Sequence, residues 1–110
     1  MAEGINVICG DAVDEMKKIP GGSINLIVTD PPYNLSKNYG NNHDSMTLYE
    51  YLKFSRSWLA EAVRVLTDDG SIYFFMGMRF ISYLYIILEQ ELGLTLQKPE
   101  ALFLRMIKNA

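Results

Sequence analysis

The sequence predicts an α/β fold in which helices flank a partial, open parallel sheet. Segments with the length and composition of strands alternate along the chain with segments whose apolar residues recur at helical spacing. Within residues 23–29, the run Leu26, Ile27 and Val28 is continuously apolar, which is typical of a parallel strand covered on both faces. The chain has 110 residues, so we expect residues 1–110 to form one domain.

The first half of the chain is predicted to form a strand, a helix, a second strand and a long loop. Residues 6–10 have the composition of a short apolar strand, and Asp11 follows as a helix N-cap. The helix ends at residues 20–22, which are Pro-Gly-Gly. Residues 23–29 form the second strand, and residues 30–46 form a polar loop of a length that is usually functional.

The second half begins with the strongest local signal, a capping box over residues 47–50 that starts a long helix. Its expected buried face consists of Leu48, Leu52, Ser55, Leu59, Ala62, Val63 and Leu66, with Tyr51 and Trp58 alongside. A turn at residues 67–70 leads into a strand over residues 71–76. Two more helices are predicted, over residues 80–92 and 100–108.

The helix predicted over residues 80–92 is apolar on nearly all sides, and Gly93 is suited to end it. A helix of this kind is buried all round. Two interpretations stay open. The helix packs into the core against the sheet, or it needs a partner surface, supplied by a further segment or by a second subunit.

Composition is that of an ordinary globular protein, with 49% hydrophobic and 21% charged residues. The net charge of −3 does not suggest a strong binder of the nucleic-acid backbone. The single cysteine, Cys9, is expected to be a small buried side chain in a reducing, cytoplasmic compartment. No apolar stretch is long enough to span a bilayer. His43 has no second ligand at metal spacing, so we expect no metal site.

The sequence Thr-Asp-Pro-Pro-Tyr-Asn-Leu stands where the second strand ends. Ligands of open α/β sheets bind at the carboxyl ends of the strands, so Asp30 is well placed for a site. Pro31 and Pro32 stiffen the turn and present carbonyls without competing N–H groups. Asp30 and a neighbouring carbonyl can accept hydrogen bonds from an amino group, while Tyr33 offers a face for ring stacking. The alternative is that the prolines only end the strand.

The segments on both sides of this motif, together with the motif itself, resemble a known protein family, and this resemblance favours the first interpretation. Asp-Pro-Pro-Tyr is similar to the catalytic motif of the amino-group DNA methyltransferases, which use S-adenosylmethionine to methylate adenine N6 or cytosine N4. The Gly10-Asp11 pair, the segment WLAEAVRVLTDDGSIYFF and the segment TLQKPEALFLRMIKNA resemble other motifs of that family, in the family's order. Several ordered motifs are a more specific signal than one tetrapeptide.

The resemblance implies a role for each matching residue. Asp30, Pro31, Pro32 and Tyr33 would form the catalytic motif, with the target base flipped out of double-stranded DNA. Two further sets would bind S-adenosylmethionine. Asp11 would lie beside the adenine ring of the cofactor, and Gln97 and Lys98 would contact its methionine part. An aspartate in first place favours adenine N6, and the implied context is site-specific methylation in restriction–modification.

The order of the motifs resembles the permuted class of the family, in which the catalytic segment precedes the glycine-rich cofactor loop. The chain contains no Gly-x-Gly sequence. Residues 92–95 run directly into Gln97, where the class has a target-recognition region. We therefore expect an incomplete catalytic domain. Two hypotheses remain. The first is a methyltransferase, or the catalytic half of one. The second is a non-catalytic remnant or assembly subunit, which needs the missing cofactor loop or a second chain, either a homodimer partner or a complementing chain.

Overall fold

A computed structural model describes residues 4–31, 37–39, 42–44, 46–75, 80–99 and 103–108. The helices are α1 (Ala12–Met16), α2 (Leu48–Val65) and α3 (Ile81–Ile86), which continues as a π-helical segment (Ile87–Glu91). The strands are β1 (Ile24–Thr29), β2 (Lys37–Tyr39), β3 (Asn42–Asp44), β4 (Leu66–Phe75), β5 (Thr95–Pro99) and β6 (Phe103–Ile107). None of the helices in these ranges is long and apolar enough to cross a membrane.

Four strands form a mixed sheet in the order β1-β4-β6-β5. β1 and β4 are parallel, with Thr29 opposite Phe74. β6 is antiparallel to both of its neighbours, so Leu104 lies opposite Phe74 on one side and Pro99 on the other. β2 and β3 form a separate antiparallel pair within the predicted loop. The α/β class is therefore confirmed, and the parallel pairing is found between β1 and β4.

The core lies on one face of this sheet, under α2. The capping box predicted for α2 is present, because Glu50 N donates to Thr47 Oγ1 and Thr47 N donates to Glu50 Oε1, both at 3.1 Å. The buried residues of α2 are Tyr51, Ser55, Trp58, Leu59, Ala62, Val63 and Val65. The apolar residues Tyr51 to Val63 of this set pack with Ile72, Phe74, Leu104 and Met106 from β4 and β6. Of the predicted stripe, Leu48 is exposed and Leu52 is half-buried.

The helix predicted over residues 80–92 is α3 with its π-helical continuation, and it contributes Leu84, Ile87 and Leu88 to the same core. Gly93 follows with φ of +75°, a conformation in which a glycine is favoured. The backbone N–H of Leu94 then donates to Leu88 O at 2.9 Å. Tyr83 and Ile86 are exposed, so the helix is not buried on all sides. Of the two interpretations of this helix, the described contacts agree with the first, in which it packs into the core against the sheet.

The strand predicted at residues 6–10 is wrong. Residues 5–9 are not part of any strand, and Ile5 and Val7 are each 92% exposed. A strand needs a paired neighbour, and the edge of the sheet nearest in sequence is formed by β1, which pairs with β4. The prediction of a buried Cys9 fails for the same reason, because Cys9 is exposed.

The helix predicted over residues 100–108 is also wrong. Residues 103–107 form β6, which adds to β4 as a strand. Leu104 and Met106 alternate with Arg105 and Ile107, so one face is apolar with a period of two. Pairing with β4 and burial under α2 and α3 outweigh the local helix propensity of this segment.

β4 begins at Leu66, earlier than the predicted strand over residues 71–76, and the predicted turn at residues 67–70 is a bulge within it. Leu66 lies opposite Ile24, but the next partner of β1 is Ser71, opposite Leu26. The intervening residues leave the ladder, and Thr67 Oγ1 donates to Asp69 Oδ1 at 3.0 Å. The residues predicted as a turn therefore lie inside a strand, where they form an irregular segment between two paired positions.

Candidate active site

Asp30 follows the last residue of β1 and is exposed, while the next residue, Pro31, is buried. This is the arrangement expected for a strand-end site, with an accessible carboxylate and an anchored proline behind it. Pro32 and Tyr33 lie outside the described residues. The stacking role predicted for Tyr33 therefore stays a prediction.

Helix α2 runs back from this end of the sheet. Gly22 and Ser23, which precede β1, donate from their N–H groups to the carbonyl oxygens of Arg64 and Val65 at 2.9 and 2.8 Å. The C-terminus of α2 is thus fixed at the start of β1, and its N-terminus lies toward the end that carries Asp30. In the sequence, the segment that begins with the Asp-Pro-Pro-Tyr motif connects the end of β1 to the start of α2.

Two buried aromatic rings stand behind this end of the sheet. Tyr51, in the first turn of α2, and Phe80, just before α3, have ring centroids 4.7 Å apart. Both are almost fully buried. We interpret them as a rigid packing layer that holds the start of α2 against α3, a contact that the sequence alone did not predict.

Gln97 and Lys98 lie on β5, the strand at the opposite edge of the sheet from β1. β5 runs in the same direction as β1, because β6 is antiparallel to both β5 and β4, and β4 is parallel to β1. The register makes Pro99 level with Thr29. The sheet therefore places Lys98 and Asp30 at the same end, but about three strand spacings, roughly 14 Å, apart.

Asp11 is placed differently. It is the N-cap of α1, and its carboxylate accepts a hydrogen bond from Asp14 N at 3.0 Å. One contact between α1 and α2 is made by Arg64, whose Nη2 donates to Met16 O at 2.8 Å. Met16 is the last residue of α1, so the end of this helix that is farther from Asp11 is held at the amino end of β1.

A groove lies on the face of the sheet opposite the core, with a volume of about 400 Å³. Its lining residues are Asn25, Leu26, Val28, Ser71, Tyr73, Phe75 and Arg105. Arg105 lies over the Tyr73 ring at 5.6 Å from its centroid, and its Nη2 is 3.4 Å from Ser71 Oγ. Sequence reasoning missed Arg105 because it placed this segment on a helix. The alternation of Leu104, Arg105 and Met106 was the available signal.

Metal chemistry has no support in the part of the chain that the structure describes. No group of three or more His, Cys, Asp or Glu side chains there is placed to hold an ion. His43 lies in β3, and only its backbone is described.

Comparison with known proteins identifies the family. A family model described as DNA methylase, covering N6 and N4 methyltransferases, matches residues 24–99. The Type II methyltransferase M.HpaI of Haemophilus parainfluenzae is 52% identical over 88 residues, which are 80% of this chain and 28% of that protein. The chain belongs to the DNA methylase family. The resemblance inferred from the motifs is thereby confirmed.

Further relatives agree with this assignment. The DNA adenine methyltransferase YhdJ of Escherichia coli (strain K12) is 39% identical over 71 residues, which are 64% of this chain and 24% of that protein. The solved PvuII cytosine-N4-specific DNA methyltransferase superposes with a TM-score of 0.67 at 17% identity, over 91% of this chain and 48% of that one. A putative DNA modification methylase from Thermus thermophilus gives a TM-score of 0.68 at 20% identity, over 92% of this chain and 52% of that one.

These matches confirm the fold of S-adenosylmethionine-dependent DNA methyltransferases for this DNA methylase chain. The chain spans about a quarter of the length of the two curated relatives and about half of the two solved structures. Each of these proteins therefore carries residues that have no counterpart here.

The family implies S-adenosylmethionine, and the described residues do not by themselves form a closed site for it. Asp11 and Gln97 are exposed and lie on separate elements, a short helix and an edge strand. Neither of them lines the groove described above or a further cavity that lies against α3. A cofactor of this size requires a concave site that buries most of its surface. The cofactor-binding roles of Asp11, Gln97 and Lys98 stay predictions.

Proposed function

We propose that this chain supplies the amine-binding part of a site-specific DNA methyltransferase of the restriction–modification type. The observation that carries the proposal is the position of Asp30 and Pro31 at the carboxyl end of β1. The substrate is an exocyclic amino group in double-stranded DNA, and the methyl donor of the assembled enzyme is S-adenosylmethionine. A cytoplasmic location is part of this proposal.

The proposed chemistry uses two hydrogen-bond acceptors. The Asp30 carboxylate and the carbonyl oxygen of Pro31 would accept the two hydrogens of the target –NH₂ group. An aromatic amine is a poor nucleophile because its lone pair is delocalised into the ring. Two acceptors on its hydrogens favour a pyramidal nitrogen with a localised lone pair, and they act on charge that develops in the transition state. The stiff Pro-Pro turn fixes their geometry in advance.

We propose adenine N6 as the target atom in preference to cytosine N4. Aspartate in the first position of the motif supports this choice. YhdJ, whose name states adenine methylation, supports it as a relative at 39% identity. The PvuII enzyme is cytosine-N4-specific, but at 17% identity that likeness concerns the fold.

A second candidate function is that of an assembly subunit. The exposure of Leu26 and Val28, on the face of the sheet opposite the core, favours it. The net charge of −3 also gives this chain a weak electrostatic basis for holding DNA without a partner. In this second candidate, the chain binds a complementary protein and contributes no reacting group.

A segment exchange separates the two candidates. The 88-residue segment of M.HpaI that matches this chain is replaced by the corresponding residues of this chain, and the chimera is assayed on unmethylated double-stranded DNA. We expect methyl transfer by the chimera and N6-methyladenine in the nucleoside digest. Asp30→Ala should lower the rate at least about 10²-fold, the usual effect of removing a preorganised electrostatic group.

The matched control is Asp68→Ala, an exposed aspartate in the β4 bulge, which should leave the rate unchanged. An inactive chimera, or one whose rate is unaffected by Asp30→Ala, would contradict the catalytic proposal. N4-methylcytosine as the product would contradict the choice of target atom alone.

A further inference from the structure

The two faces of the β1–β4 pair have different surroundings. On one face, Ile72 and Phe74 are completely buried. On the other, Leu26 is 55% and Val28 is 62% exposed. Parallel strands are normally covered on both faces, and the continuous apolar run in β1 has the composition of such a strand. We call Leu26, Val28, Tyr73, Phe75 and Arg105 the open face.

Arg105 places a positively charged group on this otherwise apolar surface. Its Nη2 contacts Ser71 Oγ, and its guanidinium lies over the Tyr73 ring. Its Nε is screened from solvent, and among the described residues it has no hydrogen-bond partner. A buried donor without an acceptor is unfavourable. A carboxylate brought to this face would pair with the positive guanidinium through a charge-assisted hydrogen bond.

The edge of the sheet beside the open face is also unpaired in the described part of the chain. β1 is the edge strand there, and its continuous apolar run is typical of a strand that is covered on both faces. Residues 5–9, which have strand-like composition, lie outside the sheet with Ile5 and Val7 exposed. An added strand could pair with β1 and bring a covering helix onto the open face.

We propose that the open face is the docking surface for a helix that carries a carboxylate and belongs to the part of a methyltransferase domain that these 110 residues do not include. The relatives support this occupant, because this chain accounts for only 28% of M.HpaI and about half of two solved relatives. The apolar residues would contact the buried side of the helix, and its carboxylate would accept from Arg105. This inference rests on family membership and is independent of any catalytic role of Asp30.

A second copy of this chain fits the surface less well. In a two-fold contact, each open face would meet another open face. Among the described residues, the groove on that face is lined by Arg105 and by no carboxylate. Self-association would thus bring two guanidinium groups together without a carboxylate between them. The complementary polypeptide is the occupant that the charge favours.

Co-expression tests this docking surface. The tagged chain is produced together with a polypeptide that contains the residues of M.HpaI outside its matched segment, and the purified product is analysed by light scattering. We expect a one-to-one complex. Val28→Lys should weaken the complex at least about tenfold, because a charge would be buried against the helix. Arg105→Glu should weaken it as well, by placing like charges together.

The matched control is Ile86→Lys, which changes an apolar residue of similar exposure on α3, away from the open face. It should leave the complex intact. Absence of a complex, or equal binding by Val28→Lys, would overturn the proposal. A homodimer of the chain that Val28→Lys dissociates would also overturn it, in favour of a second copy. Asp30→Ala should bind like the unchanged chain, so a failure of the catalytic proposal is seen separately.

A second measurement does not depend on whether the complementary polypeptide folds. Val28→Lys is introduced into the isolated chain and into the M.HpaI chimera described above. Val28 is exposed in the isolated chain and would be covered in the chimera. The substitution should therefore lower the melting temperature of the chimera only. An equal shift in both proteins would show that the remainder of the domain does not cover this face.

Discussion

The two faces of the sheet differ in how far their apolar residues are buried. The face under α2 and α3 buries Ile72, Phe74 and Met106 completely, while the opposite face leaves Leu26 and Val28 more than half exposed. Both sets stand on neighbouring strands of one sheet. The difference comes from the layers above them, because α2 and α3 pack on the first face, whereas no described element covers the groove on the second.

The comparison separates what stabilises this chain from what it offers to a partner. The covered face contributes the hydrophobic free energy of folding. The open face retains apolar area that is still available for association. Substitutions on the two faces should therefore act on different quantities, unfolding free energy for the first and complex formation for the second.

The largest effect is expected from truncating the covered face. Phe74→Ala should lower the free energy of unfolding by about 3–5 kcal/mol, because it removes a completely buried ring and leaves a cavity. Val28→Ala on the open face should change it by less than about 0.5 kcal/mol, as for ordinary surface substitutions. Urea denaturation of the isolated chain measures both. Similar losses at the two positions would show that the open face is covered in solution.

An intermediate effect is expected from the element that covers the first face. Thr47→Ala removes the side-chain acceptor of the capping box at the start of α2. The free energy of unfolding should fall by about 1 kcal/mol, the usual cost of losing such a cap. Lys53→Ala, at an exposed position of the same helix, is the matched control and should be close to neutral in the same denaturation experiment. A neutral Thr47→Ala would mean that packing alone holds the first turn.

The helices of the covered face were the part that the sequence could predict. The capping box, the stripe of α2 and Gly93 are local signals, and each corresponds to a local feature of the structure. The position of Asp30 followed from the end of an apolar run, which is again a local pattern. β6 and the unpaired segment at residues 5–9 were mispredicted because strand formation depends on a distant neighbour that supplies the ladder.

The open face could not have been predicted for the same reason. A run such as Leu26 to Val28 indicates that both faces of a strand are suited to burial, but it contains no information on which layers are present. Arg105 reaches that face only because residues 103–107 pair with β4. Once the pairing is known, the alternation places the guanidinium beside Tyr73, and the candidate docking surface follows.

The smallest effect concerns an exposed ion pair between the two elements that cover the first face. Arg56 on α2 donates from Nε and Nη2 to the two carboxylate oxygens of Glu91, at 3.0 and 3.1 Å. The hydrogen bonds from Arg56 hold the pKa of Glu91 below its ordinary value. A lowered pKa in the folded state means that the pair stabilises the fold above the pKa of the unfolded chain, about 4.3. This stabilisation is lost as the pH falls through the lower folded pKa.

Thermal unfolding of the unchanged chain and of Glu91→Gln measures this contribution. The melting temperature of the unchanged chain should be slightly higher at neutral pH, and the difference should vanish in acid below pH about 4. Added salt should reduce the difference at neutral pH, because both side chains are solvent-exposed. Asp68→Asn, which changes an exposed acid in the β4 bulge, controls for the loss of one negative charge. A difference that persists unchanged into acid would assign the effect of Glu91→Gln to packing, and α2 would then be held on the covered face by apolar contacts alone.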